Sequence, residues 1–186
     1  VGGGSAGCVA AARLSEDPRR QVLLIEAGPD PMPIPDIIAD ASLATQALLG
    51  SPYTRLYPTA RKSDGSKFYP ISGMIMGGGS TVNMMAAPRP TKYDLDTWEA
   101  AGNPGWSYED CLPFLKRLES DQDYGEDAIH GGTGPLYVQR RSNIDEQMAA
   151  EPAKSFIERA ISMGVPLCPD LNGPEPLGIS AGASSI

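Results

Sequence analysis

The chain opens with VGGGSAGCVAAARLS, residues 1–15, and these residues indicate its fold class. Gly2, Gly4 and Gly7 have the spacing G-x-G-x-x-G and precede a run of small residues that favours a helix. The first glycine allows a tight turn, the second lets backbone approach a diphosphate, and the third lets the helix pack against a strand. Free N–H groups at the start of such a helix attract phosphate. We therefore predict a dinucleotide-binding turn, with Val1 as the last residue of a preceding strand.

A carboxylate follows at the spacing that this turn requires. Residues 21–26 (QVLLIE) form an apolar run that ends in Glu26, and we interpret the run as a buried strand. Glu26 lies 22 residues after Gly4, where a carboxylate accepts hydrogen bonds from a ribose diol and repels a 2′-phosphate. The pattern argues against NADP. The alternative is a structural glycine turn beside a surface glutamate.

The sequence beyond Glu26 distinguishes NAD from FAD. An NAD-binding half-domain continues quickly through a helix to a third parallel strand. Here a proline-rich stretch follows instead, and a second glycine cluster comes at residues 77–79. This order favours FAD, a long cofactor that needs a second binding segment for its flavin end. Ser80, Thr81 and Asn83 offer polar groups for it. The alternative is a glycine-rich loop capped by Ser80.

The stretch GMIMGGGSTVNMMAAPRPTKYDLDTW, residues 73–98, together with the opening motif, resembles the glucose–methanol–choline (GMC) oxidoreductases, flavoproteins that oxidise alcohols. Further matches include Gly105-Trp106-Ser107 and an HG-x-x-GP element that begins at His130. The likeness spans essentially the whole chain and is greatest to hydroxymethylfurfural-oxidase-like, choline-oxidase-like and choline-dehydrogenase-like members. The residues that fit the family signature are Gly73, Gly77, Gly78, Gly79, Ser80, Val82 and Asn83.

The resemblance implies an α/β fold. A Rossmann-like FAD-binding domain of the GMC type is expected over residues 1–137, and the beginning of a substrate-binding region over residues 138–186. It implies that the catalytic histidine lies in a C-terminal part outside this chain, so we predict no catalytic residue here and expect a larger parent protein. His130 is expected to be structural. The expected cofactor-binding residues are Gly2, Gly3, Gly4, Ser5, Ala6, Gly7, Glu26, Ala27, Gly77, Gly78, Gly79, Ser80, Asn83, Met84, Met85 and Ala86.

The implied function is oxidation of the CH–OH group of a small alcohol, with hydride transfer to FAD and reoxidation by oxygen or another acceptor. Two alternatives stay open: an FAD-containing hydroxynitrile lyase of the same family, and a flavin-binding fragment that is inactive alone. Val82 stands where choline-oxidase-like members have a flavin-linking histidine, so non-covalent FAD is implied. Met74 replaces the usual basic residue of the signature, and Met76 the usual aliphatic one.

Composition excludes several other classes. The 186 residues include 21 glycines and 18 prolines, yet 41% are hydrophobic, which indicates a loop-rich chain with a packed interior. A net charge of −8 argues against nucleic-acid or anionic-membrane partners, because both require basic surfaces. No apolar run reaches the length of a membrane span. The expected partners are a small-molecule alcohol and the remainder of the same polypeptide.

Cysteines and acidic residues give little sign of a metal site. Cys8, Cys111 and Cys168 are odd in number and far apart, which argues against a disulfide framework or a zinc site and favours a reducing compartment such as the cytoplasm. The acidic run ESDQDYGED at residues 119–127 lacks the spacing of a calcium loop. We predict that this run is a solvated loop.

Local signals predict the remaining elements. Residues 50–72 are expected to be irregular, whereas Ser/Thr caps and apolar periodicity predict helices downstream. The expected helices cover residues 37–49, 91–101, 107–119 with a kink at Pro113, and 153–163 with a stop at Gly164.

Overall fold

The computed structural model describes residues 2–60, 63–140, 148–149 and 151–185. Val1, the expected end of a strand, lies outside this part of the chain. The chain divides into two compact units, one that ends at Met85 and one that begins at Ala86. The functional boundary expected between residues 137 and 138 is a different division and stays a prediction.

The first unit opens with the expected turn and helix. Helix α1, Ser5–Ser15, follows Gly4, which has extended backbone angles and acts as its N-cap residue. The small residues of α1 let other backbone approach closely. Gly7 is buried, and it lines a narrow cavity of about 110 Å³ between α1 and the apolar side chains of residues 22–24.

The strand predicted over residues 21–26 is wrong for this chain. No strand is assigned there, and the side chains of Leu23 and Ile25 are 80% and 65% exposed. An apolar run indicates a tendency to be buried, but a strand also needs a hydrogen-bonded neighbour. Among the described residues, no segment pairs with this run.

The single helix predicted over residues 37–49 is divided into three short pieces. Helix α2 spans Asp36–Ala39, a 3₁₀ helix spans Ala41–Leu43, and helix α3 spans Ala44–Leu48. The break lies at Asp40, whose backbone is extended and whose carboxylate accepts a hydrogen bond from the Ser42 N–H at 2.8 Å. An aspartate that bonds to the backbone two residues later stops one helix and caps the next.

Residues 50–72 are more regular than predicted. Strand β1, Thr54–Leu56, pairs antiparallel with β4, Ile71–Gly73, and β2, Thr59–Ala60, pairs antiparallel with β3, Lys67–Phe68. Each strand is too short to show alternation in the sequence. Strand β4 leads into the second glycine motif and then into α4, Gly79–Val82. Among the described residues, the core of this unit includes Ala47, Ile75 and Val82.

The second unit contains the three helices that caps and apolar periodicity predict. Helix α5 covers Lys92–Ala100, α6 covers Tyr108–Leu118, and α7 covers Ala153–Ser162. Thr91 and Asp94 form a complete capping box before α5, and Ser107 caps α6. Pro113 lies inside α6, and Gly164 has a positive φ of 89° just beyond α7. In the described part of the chain, no helix combines the length and apolar character needed to cross a bilayer.

A three-stranded sheet organises this unit. Strand β5, Glu119–Asp121, runs parallel to β6, Leu136–Arg140, and β6 runs antiparallel to β7, Ala183–Ser185. Val138 of β6 is buried. The prediction of a solvated loop at residues 119–127 is therefore wrong for β5, whose three residues are all buried. Arg89 and Arg140, which are distant in sequence, compensate the charges of Glu119 and Asp121. The local sequence around β5 does not show that these cations lie nearby.

Candidate cofactor site

The two glycine motifs meet in the first unit. Gly4 and Gly77 form a parallel β-bridge, and the Gly77 N–H donates a hydrogen bond to the Gly3 carbonyl oxygen at 2.6 Å. Gly78 lies directly against Gly4, since a Cβ atom on Gly78 would come within 2.7 Å of the Gly4 Cα atom. Gly78 also has a positive φ of 59°, which side chains disfavour. The two motifs are therefore one structural feature, which we call the joined glycine motifs.

The joined glycine motifs leave space beside the start of α1. A Cβ atom on Gly4 would meet no other atom within 4 Å, although its neighbour Gly78 is tightly packed. No side chain among the described residues caps α1, so the N–H groups of its first turn, at Ser5, Ala6 and Gly7, are available to a ligand. Uncapped N–H groups and the positive end of the helix dipole suit a diphosphate. A dinucleotide therefore fits the residues present.

Glu26 is bound to the first glycine motif. Its Oε2 atom accepts a hydrogen bond from the Gly3 N–H at 2.6 Å, and its Oε1 atom accepts one from the Gly28 N–H at 2.9 Å. The hydrogen bond from Gly28 is the main cause that lowers the pKa of Glu26, and the bond from Gly3 adds to it. A carboxylate has about four acceptor positions, and the backbone does not use all of them, so Glu26 can still accept from a ribose diol. Ala27 lies next to it in the chain.

Cys8 is also bound to the glycine turn. Its thiol donates a hydrogen bond to the Gly3 carbonyl oxygen at 3.1 Å. This is the same oxygen that accepts the Gly77 N–H, so Gly3 joins α1, Glu26 and the second glycine motif. The sequence analysis treated Cys8 only as one of three widely spaced cysteines and missed this role in the turn.

The residues after the second glycine motif form local hydrogen bonds. The Ser80 hydroxyl donates to the Gly77 carbonyl oxygen at 2.7 Å, and the Thr81 hydroxyl donates to the Met76 carbonyl oxygen at 2.8 Å. The Asn83 side-chain oxygen accepts the Met85 N–H at 2.7 Å. These side chains fix the loop, while their remaining lone pairs can still accept hydrogen bonds.

Met85 has an unusual backbone conformation. Its φ of 60° is the only positive value at a non-glycine position among the described residues. Such a conformation persists where neighbouring bonds impose it, and it is common at ligand sites. Met84 precedes it, with a sulfur atom 3.8 Å from the Thr45 hydroxyl. Ala86 belongs to the second unit, where it forms an antiparallel bridge with Ser184.

The second unit holds a group of buried charges that sequence reasoning missed. Three carboxylates, two guanidinium groups and the imidazole of His130 lie together, and we call this group the ion-pair cluster. The spacing of Glu119 and Asp121 was the one available signal, because positions i and i+2 of a strand face the same side. The ion-pair cluster consists of Arg89, Glu119, Asp121, His130, Arg140 and Asp170.

Two arginines pair with the carboxylates that could otherwise bind a metal ion. Ligand atoms of Glu119, Asp121 and His130 lie within 4.8 Å of one another. Arg89 Nη2 lies 2.5 Å from Glu119 Oε1, although its N–H does not point at the oxygen, and Arg140 Nη1 lies 2.5 Å from Asp121 Oδ2. The two carboxylates are therefore already paired with cations, so we assign these residues to ion pairing.

The electrostatics of Asp121 support this assignment. Burial raises the pKa of Asp121, but the hydrogen bond from Arg140 and those from two backbone N–H groups outweigh burial and hold the pKa below its usual value. The backbone donors are Tyr124 and Asp123, both 3.0 Å from Asp121 Oδ1. Asp121 therefore stays ionised at neutral pH.

Comparison with known proteins identifies the family. Residues 1–182 match the family model described as GMC oxidoreductase. Choline oxidase from Arthrobacter globiformis is 43% identical over 142 residues, which cover 74% of this chain and 26% of that protein. 5-(Hydroxymethyl)furfural oxidase from Methylovorus sp. is 35% identical over 182 residues, which cover 92% of this chain and 34% of that protein.

Solved structures give the same result. The crystal structure of pyridoxine 4-oxidase from Mesorbium loti superposes with a TM-score of 0.83 at 37% identity, over 100% of this chain and 35% of that one. A formate oxidase structure superposes with a TM-score of 0.78 at 30% identity, over 98% of this chain and 33% of that one. The chain thus spans about a third or less of the length of these relatives. Its fold is that of the FAD-binding part of this group, and the chain belongs to the GMC oxidoreductase family.

Proposed function

We propose that the protein containing this chain is an FAD-dependent oxidoreductase and that the joined glycine motifs bind the cofactor. The bridge between Gly4 and Gly77, with open space beside Gly4, is the observation that carries this proposal. Two glycine segments far apart in sequence meet where a helix start exposes N–H groups. This arrangement suits an elongated dinucleotide.

Different residues of the chain bind different parts of FAD. The first turn of α1 binds the diphosphate through backbone N–H groups, and Glu26 accepts hydrogen bonds from the adenosine ribose. The segment after Gly78 would hold the flavin end of the cofactor. We propose the same set of cofactor-binding residues that the sequence predicts, and a cofactor region that extends to about residue 137.

We propose that the FAD is non-covalent. His130 is the only histidine of the chain, and both of its ring nitrogens face carboxylates of the ion-pair cluster. Val82, at the position where a linking histidine would stand, is buried. Neither residue offers a free nitrogen for a flavin bond.

The relatives support a small alcohol as substrate. Their names specify choline, 5-(hydroxymethyl)furfural and pyridoxine, and each of these molecules carries a primary alcohol. Bound FAD supplies a hydride acceptor. The residues of this chain bind and orient that acceptor, and backbone donors near it stabilise negative charge. The group that removes the hydroxyl proton belongs to the remainder of the polypeptide.

Anaerobic reduction tests this proposal. The full-length protein, purified with its flavin, is mixed with a panel of small primary alcohols without oxygen, and the flavin absorbance is followed. We expect at least one alcohol to bleach the flavin and an added acceptor to restore the colour. A lyase would instead cleave a cyanohydrin without bleaching. Flavin that no alcohol reduces, together with cyanide release, would contradict the proposal.

A further inference from the structure

His130 lies between carboxylates on both edges of its ring. Its Nδ1 atom is 2.9 Å from Glu119 Oε1 and 3.2 Å from Asp121 Oδ2, and its Nε2 atom is 3.0 Å from Asp170 Oδ2. The residue is 2% exposed, so water does not replace these partners. A neutral imidazole has one nitrogen without a proton, and that nitrogen would face a carboxylate oxygen at hydrogen-bond distance. Only the doubly protonated ring donates to both sides.

The charges of the ion-pair cluster lead to the same conclusion. Three carboxylates and two guanidinium groups leave one negative charge uncompensated in a buried site. A charged imidazolium makes the cluster neutral. His130, Asp170, Arg140 and Asp121 then form a closed ring of alternating charge, with each member paired to the next. Buried charges of this kind are tolerated only when they are paired.

An aromatic ring adds a further preference for the cation. Tyr124 stacks on His130 with ring centroids 4.8 Å apart, and the guanidinium carbon of Arg140 lies 4.6 Å from the same Tyr124 ring. Aromatic faces attract cations. The Tyr124 hydroxyl donates to the Pro169 carbonyl oxygen at 2.9 Å, which connects the stack to the segment that carries Asp170.

We propose that His130 is a buried structural cation and that its proton fixes residues 168–172 to the sheet. Asp170 is the point of attachment. Its Oδ2 atom faces His130, while its Oδ1 atom accepts from Arg140 at 2.8 Å and from the Asn172 N–H at 3.0 Å. The ring therefore connects Glu119 and Asp121 of β5 to Asp170 through a donor on each of its edges. His130 thus acts as a latch between β5 and this segment.

Other charged groups surround this latch. Asp127 accepts hydrogen bonds from the His130 backbone N–H at 2.5 Å, and Asp123 lies 3.4 Å from Arg140. Lys116 donates to the Asp127 carbonyl oxygen, and Glu175 lines the same cavity as His130. Asp127 is exposed and Lys116 is half-buried, so solvent screens them more than the cluster itself.

Asp170→Asn is the matched variant. Its side-chain oxygen keeps the bonds from Arg140 and Asn172, and its NH₂ group can donate to an unprotonated His130 Nε2. The cluster is then neutral with a neutral imidazole, so every hydrogen bond survives while the need for the second ring proton disappears.

Nitrogen-15 NMR of the full-length holoprotein with labelled histidine tests the latch. Resonances that vanish in His130→Gln identify this residue. We expect both His130 nitrogens to be protonated at neutral pH in the wild type, and Nε2 to shift to the unprotonated position in Asp170→Asn. An unprotonated ring nitrogen in the wild type at neutral pH would overturn the proposal, whether or not the variant folds.

Hydrogen exchange tests the attachment separately. Protection factors of residues 168–172 are compared in the wild type, His130→Gln and Asp170→Asn. We expect His130→Gln to lose at least about tenfold in protection and Asp170→Asn to lose less, because its amide can still bond to His130 and Arg140. Equal protection in the wild type and His130→Gln would contradict the latch.

Discussion

Gly78 lies against Gly4 so closely that a Cβ atom on Gly78 would be 2.7 Å from the Gly4 Cα atom. This relationship joins two motifs that lie more than seventy residues apart. It also means that the second motif supports the first before any cofactor binds.

Gly78→Ala tests whether this close approach stabilises the first unit. We expect the free energy of unfolding to fall by about 3 kcal/mol, because the methyl group collides with Gly4 and a positive φ is strained. Gly50→Ala is the control, since Gly50 has a φ of 90° but open space around it. We expect it to lose only about 1 kcal/mol. Equal losses in urea unfolding would show that the contact with Gly4 contributes nothing.

Glu26→Gln tests the carboxylate between the glycine motifs. We expect about tenfold weaker FAD binding, because a charge-assisted acceptor becomes neutral. Glu16→Gln is the control, because Glu16 is exposed and pairs only with Arg13 among the described residues. Equilibrium dialysis of the full-length apoprotein measures the difference, and unchanged affinity in Glu26→Gln would contradict the role of Glu26.

The pH dependence of this difference follows from the lowered pKa of Glu26. A carboxylate whose folded-state pKa is depressed keeps its contribution above its ordinary value of 4.5 and loses it as the pH falls through the lower folded value. The advantage of the wild type over Glu26→Gln should therefore be constant above pH 4.5 and be lost only at lower pH, as the pH falls through the depressed pKa of Glu26 in the folded protein. An advantage that disappears near neutral pH would assign the effect to another group.

Asn172→Ala tests the packing of the second unit. The side-chain oxygen of buried Asn172 accepts a hydrogen bond from the backbone N–H of Arg89 at 2.9 Å. Its NH₂ group donates to the Ala87 carbonyl oxygen at 3.0 Å. Loss of both bonds should reduce the free energy of unfolding by about 2 kcal/mol. Asn103→Ala removes one bond to the Trp98 carbonyl oxygen at an exposed site and should cost much less. A larger loss for Asn103→Ala would be the contrary result.

Thr91→Ala tests the capping box of α5. Its loss should destabilise the second unit by about 1 kcal/mol, because Thr91 and Asp94 satisfy each other's backbone N–H groups. Thr97→Ala, in the middle of the same helix, should instead stabilise slightly through higher helix propensity. Thermal unfolding distinguishes the two, and changes of the same sign would contradict the prediction.

Sequence reasoning succeeded where the signal was local. Thr91 and Ser107 cap α5 and α6 by accepting a hydrogen bond from the N–H three residues later. Gly164 follows α7 and has the positive φ that glycine allows. The opening glycine spacing likewise predicted α1. Each of these features depends on a few consecutive residues, so no distant part of the chain can alter it.

Predictions failed where distant partners decide the structure. Residues 21–26 have the composition of a strand but no paired neighbour among the described residues, whereas Glu119 and Asp121 look solvated and are buried. The burial of these carboxylates depends on Arg89 and Arg140, which lie up to thirty residues away. Long-range compensation of charge leaves no periodic pattern in a single sequence.

The flavin content of full-length Gly4→Ala shows whether the joined glycine motifs bind the diphosphate of FAD. Gly4 has ordinary backbone angles and open space beside it, so an alanine there fits the protein but projects into the volume proposed for the diphosphate. Ala12→Ser, which adds one atom to the exposed side of α1, is the control. We expect Gly4→Ala to lose at least about tenfold in FAD affinity with its unfolding midpoint nearly unchanged, while the control keeps its flavin. Full FAD binding by a stable Gly4→Ala protein would show that the diphosphate does not lie beside Gly4.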